Sequence, residues 1–156
     1  MRITVKDIKN RHACRAGVQQ FLKFAHKYGD GRAITVTTKI CKKIGTDGQW
    51  DWLAVKLFKT VDYDKFCQRA IPIKEKATDR TLRIATIQLR EQLKIQKKFR
   101  RTPRKMKNRL AKLNRKINKI YDKILSKEGK DCGAVFAKLA KNYKKPAPVE
   151  MCDWLR

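Results

Sequence analysis

The chain has 156 residues, 41 of them Lys or Arg and only 14 Asp or Glu, which gives a formal net charge of +27. Its hydrophobic fraction of 42% is close to that of globular proteins, so a disordered chain is not expected. So large a positive charge opposes compaction through self-repulsion and is tolerated most easily when the partner is a polyanion. The composition therefore favours one folded domain, or two small ones, with a negatively charged partner.

The five cysteines are odd in number and widely spaced, with no C-x-x-C pair. This does not fit a disulfide framework, so we expect mostly reduced and buried thiols in a cytoplasmic protein. Charged residues occur within the first few positions, and the sequence contains no run of eighteen consecutive apolar residues. Neither export nor a membrane span is therefore expected.

The first 73 residues predict a small helical module. Thr4 is placed to cap a helical turn that reaches Asn10. A second helix, residues 16–28, has its apolar side chains on one face and is expected to stop at Gly29.

Residues 34–38 are the only strand-like segment that the sequence pattern indicates. The apolar spacing that follows is helical, and we favour a helix capped by Thr35 or Thr37. Asp47 or Gly48 then opens a strongly apolar helix, which is expected to form the centre of the first core. Its apolar residues are Trp50, Trp52, Leu53, Leu57 and Phe58.

A last short helix of this module is predicted after Asp62, its candidate cap. It is expected to end at Pro72, because proline lacks an N–H and its ring crowds the preceding turn of a helix. Residues 73–78 are then a plausible joint. We therefore divide the chain into a helical module, residues 1–73, and a basic helical part, residues 79–156.

The basic part begins with a helix over residues 79–99 that has apolar residues on two sides, as expected of a helix between two layers. One side carries Leu82, Ala85, Leu89 and Leu93, and the other Ile84, Ile87, Ile95 and Phe99. Two arginines and Thr102 then break the helix. Thr102 is placed as the N-cap of the next helix and Pro103 as its first residue.

That next helix, expected to stop at Gly129, is the most regular feature of the sequence. Its apolar residues recur at alternating intervals of four and three, which defines a narrow seam. The seam consists of Met106, Leu110, Leu113, Ile117, Ile120 and Ile124. Two long helices joined by a short break most simply form an antiparallel hairpin. A monomer that buries this seam is favoured over a dimer joined by a coiled coil.

A final helix is predicted over residues 131–141, ended by Pro146 and Pro148. The apolar tail after it is expected to dock on the body through Trp154 and Leu155. Together these elements predict an all-α fold, with a small helical N-terminal module, a long basic antiparallel helical hairpin and a short C-terminal helix.

A row of cations lies one position before the seam residues: Lys105, Arg109, Lys112, Lys116, Lys119 and Lys123. The window 97–116 holds eleven cations and no acid, whereas a merely solvated face needs both signs. Such rows release condensed counterions when they neutralise phosphates, so we expect the backbone of DNA or RNA to bind here. The expected contact residues are Lys97, Lys98, Arg100, Arg101, Arg104, Lys105, Arg109, Lys112, Lys116 and Lys119.

Base readout has less support in the sequence. Asn108, Asn114 and Asn118 are candidates for hydrogen bonds to sugars or base edges. No homeodomain, paired zinc-ligand, RNP or GxxG signature occurs, so little sequence specificity is expected.

Residues 13–58 carry a further pattern. It consists of Ala13, Cys14, Gly17 and Phe21, a glycine turn, and then Asp51, Trp52 and Leu53. The pattern resembles a segment of small helical bacteriophage proteins and of some immunity-type proteins of bacteria, and it covers under a third of the chain. The resemblance implies an all-helical fold, an origin in a phage or mobile element, and hence the host cytoplasm. It implies no activity.

Other functions compete with nucleic-acid binding. The alternative partner is an acidic host protein or a ribonucleoprotein, bound by a phage-encoded inhibitor or adaptor. A helix on an anionic membrane surface fits less well, because so narrow a seam suits another helix better than lipid. No membrane partner is therefore expected.

Enzyme and metal hypotheses rest on few residues. Residues of the types that bind zinc occur at His12, Cys14, His26 and Cys41, but they lack the spacing of paired zinc ligands. The acids and lysine of a magnesium-dependent nuclease centre are present at Asp62, Asp64 and Lys65. Asp62 is explained more simply as a helix cap. We expect no catalytic activity, no metal and no cofactor.

Overall fold

The computed structural model describes residues 1–45 and 50–141. The elements are β1 (Arg2–Thr4), α1 (Val5–Lys9), α2 (Arg15–Tyr28), β2 (Ala33–Thr35), α3 (Thr38–Ile44), α4 (Trp50–Leu57), α5 (Thr60–Lys98) and α6 (Pro103–Ala140). The predicted all-α class is confirmed. The helix start expected at Asp47 or Gly48 lies outside the described residues, as does the tail that carries Trp154 and Leu155.

Side-chain caps set the first helices. The Thr4 hydroxyl accepts the backbone N–H of Asp7 at 3.1 Å, and the Asp7 carboxylate accepts that of Thr4 at 2.8 Å. This reciprocal pair satisfies two N–H groups that a helix start leaves free. The Thr37 hydroxyl accepts the N–H of Ile40 at 3.2 Å where α3 begins. The caps predicted at Thr4 and Thr37, and the stop of α2 at Gly29, are confirmed.

A short antiparallel sheet joins the two strands, with Ile3 opposite Ile34. The strand-like segment therefore is a strand up to Thr35, and the helix begins only after the cap at Thr37. Its partner strand lies some thirty residues earlier in the chain, and local periodicity does not show such a pairing. Strand formation depends on this pairing more than on intrinsic propensity.

An aromatic cluster forms the centre of the core. Phe136 of α6 is fully buried, and its ring centroid lies 5.4 Å from that of Trp50, 5.0 Å from Phe58 and 6.4 Å from Phe66. Trp50 opens α4, Phe58 follows α4, and Phe66 belongs to α5. The predicted burial of Trp50 and Phe58 is confirmed, and the end of α6 packs into the same core.

Helix α5 passes through Pro72, where the sequence predicted its end. A proline inside a helix removes one hydrogen bond and costs about 3 kcal/mol. The helix continues because its buried side is anchored before and after the proline, by Phe66, Ala70 and Ala77, while Pro72 itself is exposed. The predicted end at Pro72 and the joint at residues 73–78 are therefore wrong.

The start of α5 also differs from the prediction. The helix begins at Thr60 after the N-cap residue Lys59, and Asp62 lies in its first turn instead of capping it. The buried cluster contains residues from both sides of the predicted boundary, among them Ile8 and Phe136. The division into two domains stays a prediction.

Helix α6 continues through Gly129, where a stop was predicted, so the separate helix expected after it is the last part of α6. The indole N–H of Trp50 donates to the carbonyl oxygens of Gly129, at 2.9 Å, and of Gly45, at 2.8 Å. A Cβ on Gly133 would lie only 2.9 Å from the Trp50 ring and from the carbonyl oxygen of Cys41. Gly133 thus permits close helix packing, and Gly129 does not terminate the helix.

The predicted hairpin is present within one chain. Helices α5 and α6 pack against each other and are joined by residues 99–102, with Thr102 as N-cap and Pro103 as the first helical residue. Side-chain hydrogen bonds fix their register. The Gln88 amide donates to Asn114 at 3.2 Å, and the Tyr121 hydroxyl donates to the Gln88 oxygen at 3.4 Å.

Candidate nucleic-acid interface

On α6 the seam faces inward and the cation row is fully exposed. Ile117 is buried, Ile120 is 38% exposed, and the other four seam residues are half-buried. The cation one position before each seam residue is exposed in all six cases. Since one residue turns an α-helix by about 100°, the row lies about 100° from the seam.

Helix α5 repeats this arrangement. Its buried or half-buried side consists of Ala77, Thr81, Ile84, Gln88, Glu91, Ile95 and, just after the helix, Phe99. The residues one position before these are all exposed: Lys76, Arg80, Arg83, Ile87, Arg90, Lys94 and Lys98. Six of these seven are cations. This row was not predicted from the sequence, because Ile87 interrupts its intervals of three and four.

The two rows lie on one face of the hairpin. A two-fold axis perpendicular to both helices relates the two helices of an antiparallel pair. Residues that lie one position before the inward residues on either helix therefore point to the same face of the pair. We call this the cationic face, formed by Lys76, Arg80, Arg83, Arg90, Lys94, Lys98, Lys105, Arg109, Lys112, Lys116, Lys119 and Lys123. Its rows are about 33 Å and about 27 Å long at about 1.5 Å per residue.

Acidic neighbours neutralise little of this charge. Within the described residues, the cationic face has one ion pair, between Lys94 and Glu91 at 2.7 Å. The other three ion pairs found there involve Arg2, Lys65 and Lys74, which lie outside the face. Eleven of the twelve cations therefore face solvent without a carboxylate partner in the described part of the chain.

All ten residues predicted to contact nucleic acid are exposed. Six belong to the cationic face, namely Lys98, Lys105, Arg109, Lys112, Lys116 and Lys119. The other four, Lys97, Arg100, Arg101 and Arg104, lie in or beside the turn between the helices and outside both rows. The exposed cations thus continue around the tip of the hairpin.

Residues one position after the inward side form an uncharged face. On α5 these are Thr78, Leu82, Ala85, Leu89, Gln92 and Gln96, and on α6 they are Ala111, Asn114, Asn118, Tyr121 and Leu125. The two exceptions are Arg100, which follows Phe99, and Lys107. The Asn114 oxygen accepts amide N–H groups of Gln88, at 3.2 Å, and of Gln92, at 3.3 Å. Asn114, a candidate for base contacts, therefore lies away from the cationic face.

The candidate metal and catalytic residues lie apart from the hairpin faces. No group of three or more His, Cys, Asp or Glu residues in the described ranges is placed to hold a metal ion. The Cys14 sulfur accepts the N–H of Gly17 at 3.4 Å and caps α2. Asp62 lies 3.7 Å from Lys65. Burial raises the pKa of the Cys41 thiol to about 12, so this thiol is protonated and a weak nucleophile at neutral pH.

Comparison with known proteins gave no matching family model, no similar curated protein and no similar solved structure. Among the described residues, no helix has the length and apolar character needed to cross a membrane.

Proposed function

We propose that this protein is a non-enzymatic binder of nucleic acids that contacts the phosphate backbone with little dependence on sequence. The supporting observation is the cationic face, in which two exposed rows of cations share one side of the hairpin of α5 and α6. A single acidic side chain pairs with a cation there, within the part of the chain that the structure describes.

Regular spacing favours a polyanion over an acidic protein surface. The cations recur every three or four residues, which is about 5 Å along each helix, except where Ile87 stands between Arg83 and Arg90. Double-stranded DNA carries one charge per about 1.7 Å of its axis, so phosphates are available along the whole length of each row. Every phosphate that a Lys or Arg neutralises releases a condensed counterion, and this release supplies most of non-specific affinity.

The width of the hairpin explains why backbone contacts are expected to dominate. Each helix with its side chains is about 10–12 Å across, so the pair is about 20 Å wide. The major groove of B-DNA is about 12 Å wide and admits one helix. The cationic face therefore lies across the backbone rather than within the groove, where base edges are read.

An acidic host protein or a ribonucleoprotein is the alternative partner. Exposed apolar side chains outside the cationic face, such as Val55 at 53% and Leu125 at 49%, favour a protein contact. This alternative expects a stoichiometric complex that survives nuclease treatment. The phage or mobile-element origin and action in the host cytoplasm belong to the proposal for either partner.

Salt-dependent binding tests the proposed function. Nuclease-treated protein, purified at high salt, is titrated into labelled duplex DNA, single-stranded DNA and duplex RNA at 50 and 200 mM salt. If six to ten cations contact phosphates, affinity for duplexes falls by about 10³- to 10⁵-fold between the two conditions. Scrambling the sequence should change it by less than about threefold. Absence of binding at 50 mM salt, or an affinity indifferent to salt, contradicts the proposal.

A further inference from the structure

Helix α5 carries an exposed apolar stripe on its outer surface, and two residues of the stripe, Leu82 and Leu89, also belong to the uncharged face. The stripe consists of Ile71, Leu82, Leu89 and Leu93, which are 50%, 61%, 61% and 56% exposed. The sequence predicted that α5 lies between two layers. In the described part of the chain, α6 supplies one layer along this length, and the stripe has no layer against it.

The stripe has the features of a helix contact. Its intervals of eleven, seven and four residues keep it on one side of the helix over about 33 Å. Thr86 lies between Leu82 and Leu89, and its hydroxyl donates to the Leu82 carbonyl oxygen at 3.0 Å, which leaves its methyl group for apolar contact. No Lys or Arg interrupts the stripe, although the chain has a net charge of +27.

The charges beside the stripe complement each other when a second α5 is placed antiparallel. If Leu82 of one copy lies opposite Leu89 of the other, Glu75 comes within about 1.5 Å along the axis of the second copy's Lys97. In the same register Asp79 comes within about 3 Å along the axis of the second copy's Arg90. All four of these side chains are exposed. In a parallel, in-register pair the same side of each helix points to opposite faces of the dimer, so these acids and cations would not meet.

We propose that the stripe is the contact surface for a second copy of this chain. The two α5 helices pack antiparallel around a two-fold axis near Ala85 and Thr86, with Glu75 and Asp79 each facing a cation of the second copy. Such an isologous contact is self-complementary and closes at two copies. It uses the outer side of α5, so the α6 seam stays within each chain. It does not depend on the proposed nucleic-acid function.

Sedimentation equilibrium of nuclease-treated protein at high salt tests this contact. We expect a dimer whose dissociation constant rises at least about 100-fold in the triple variant L82Q, L89Q and L93Q. Each copy then loses three leucines that the contact would bury. The matched control is V55Q with I87Q, two residues that are 53% and 49% exposed but lie off the stripe. This control should leave the dimer unchanged.

A charge exchange keeps the test independent of folding defects in the leucine variant. K97E places two acids together at each end of the contact and should weaken the dimer by about 3- to 10-fold. Adding E75K should restore it. An Ala85→Cys variant should form an interchain disulfide near the axis far faster than Ile87→Cys. A monomeric wild type, or a dimer that these stripe variants leave unchanged, overturns the proposal.

Discussion

Reversing two cations in each row, Arg83 and Lys98 on α5 and Lys112 and Lys116 on α6, to glutamate reduces affinity for duplex nucleic acid by at least about 100-fold near physiological salt. Four phosphate contacts are lost, and the new carboxylates repel neighbouring phosphates. All four residues are exposed and make no ion pair in the described part of the chain. Helicity by circular dichroism should therefore be unchanged. The affinity is measured by fluorescence anisotropy.

The matched control reverses four exposed lysines of the N-terminal part, Lys6, Lys23, Lys39 and Lys43. It changes the net charge by the same amount as the variant of the cationic face. Because these lysines lie outside both rows, they act only through the long-range field, which salt screens. We expect a loss of about tenfold or less. Equal losses in the two variants would mean that net charge, rather than the cationic face, determines binding.

Phe136→Ala should lower the free energy of unfolding by about 3–5 kcal/mol, the range found for large buried aromatic residues. Phe136 is fully buried and contacts the rings of Trp50, Phe58 and Phe66. Its removal leaves a cavity where α4, α5 and α6 meet. The measurement is urea denaturation followed by circular dichroism. The control is Leu139→Ala, since Leu139 is only half-buried, and its cost should be clearly smaller. A loss below about 1 kcal/mol for Phe136→Ala would contradict this account of the core.

Features set by adjacent residues were predictable from the sequence. The caps at Thr4 and Thr37 depend on a hydroxyl and an N–H three residues away, and both are confirmed. The break between α5 and α6 was predictable because proline suits the first position of a helix, and α6 begins at Pro103. The Thr102 hydroxyl makes no capping hydrogen bond and donates to the Phe99 carbonyl oxygen instead. The seam on α6 was visible because its spacing is regular over six residues.

Features that depend on distant packing were not predictable. Pro72 and Gly129 normally interrupt helices, and only the buried residues around them show why these helices continue. Gly133 is explained by the ring of Trp50, which lies about eighty residues earlier in the chain and whose N–H donates to the carbonyl oxygen of Gly129. Local spacing contains no signal for such a contact.

The candidate interface was likewise predictable only in part. The cation row on α6 followed from the sequence, whereas the row on α5 was hidden because Ile87 interrupts it and because Asp79 and Glu91 lie close to it. That both rows share a face follows only from the antiparallel packing of α5 against α6. The contact residues predicted from the sequence therefore include five cations of the α6 row and, of the α5 row, only Lys98.

The central claim is that both rows bind nucleic acid together, and lysine modification tests it most directly. The protein is acetylated with and without duplex DNA, and the rate at each lysine is measured by mass spectrometry. The account predicts protection on both helices, at Lys76 and Lys94 of α5 as well as at Lys112 and Lys116 of α6. Lys23 should react unchanged. Protection confined to the turn or to α6 alone, or spread evenly over the chain, would contradict the shared face.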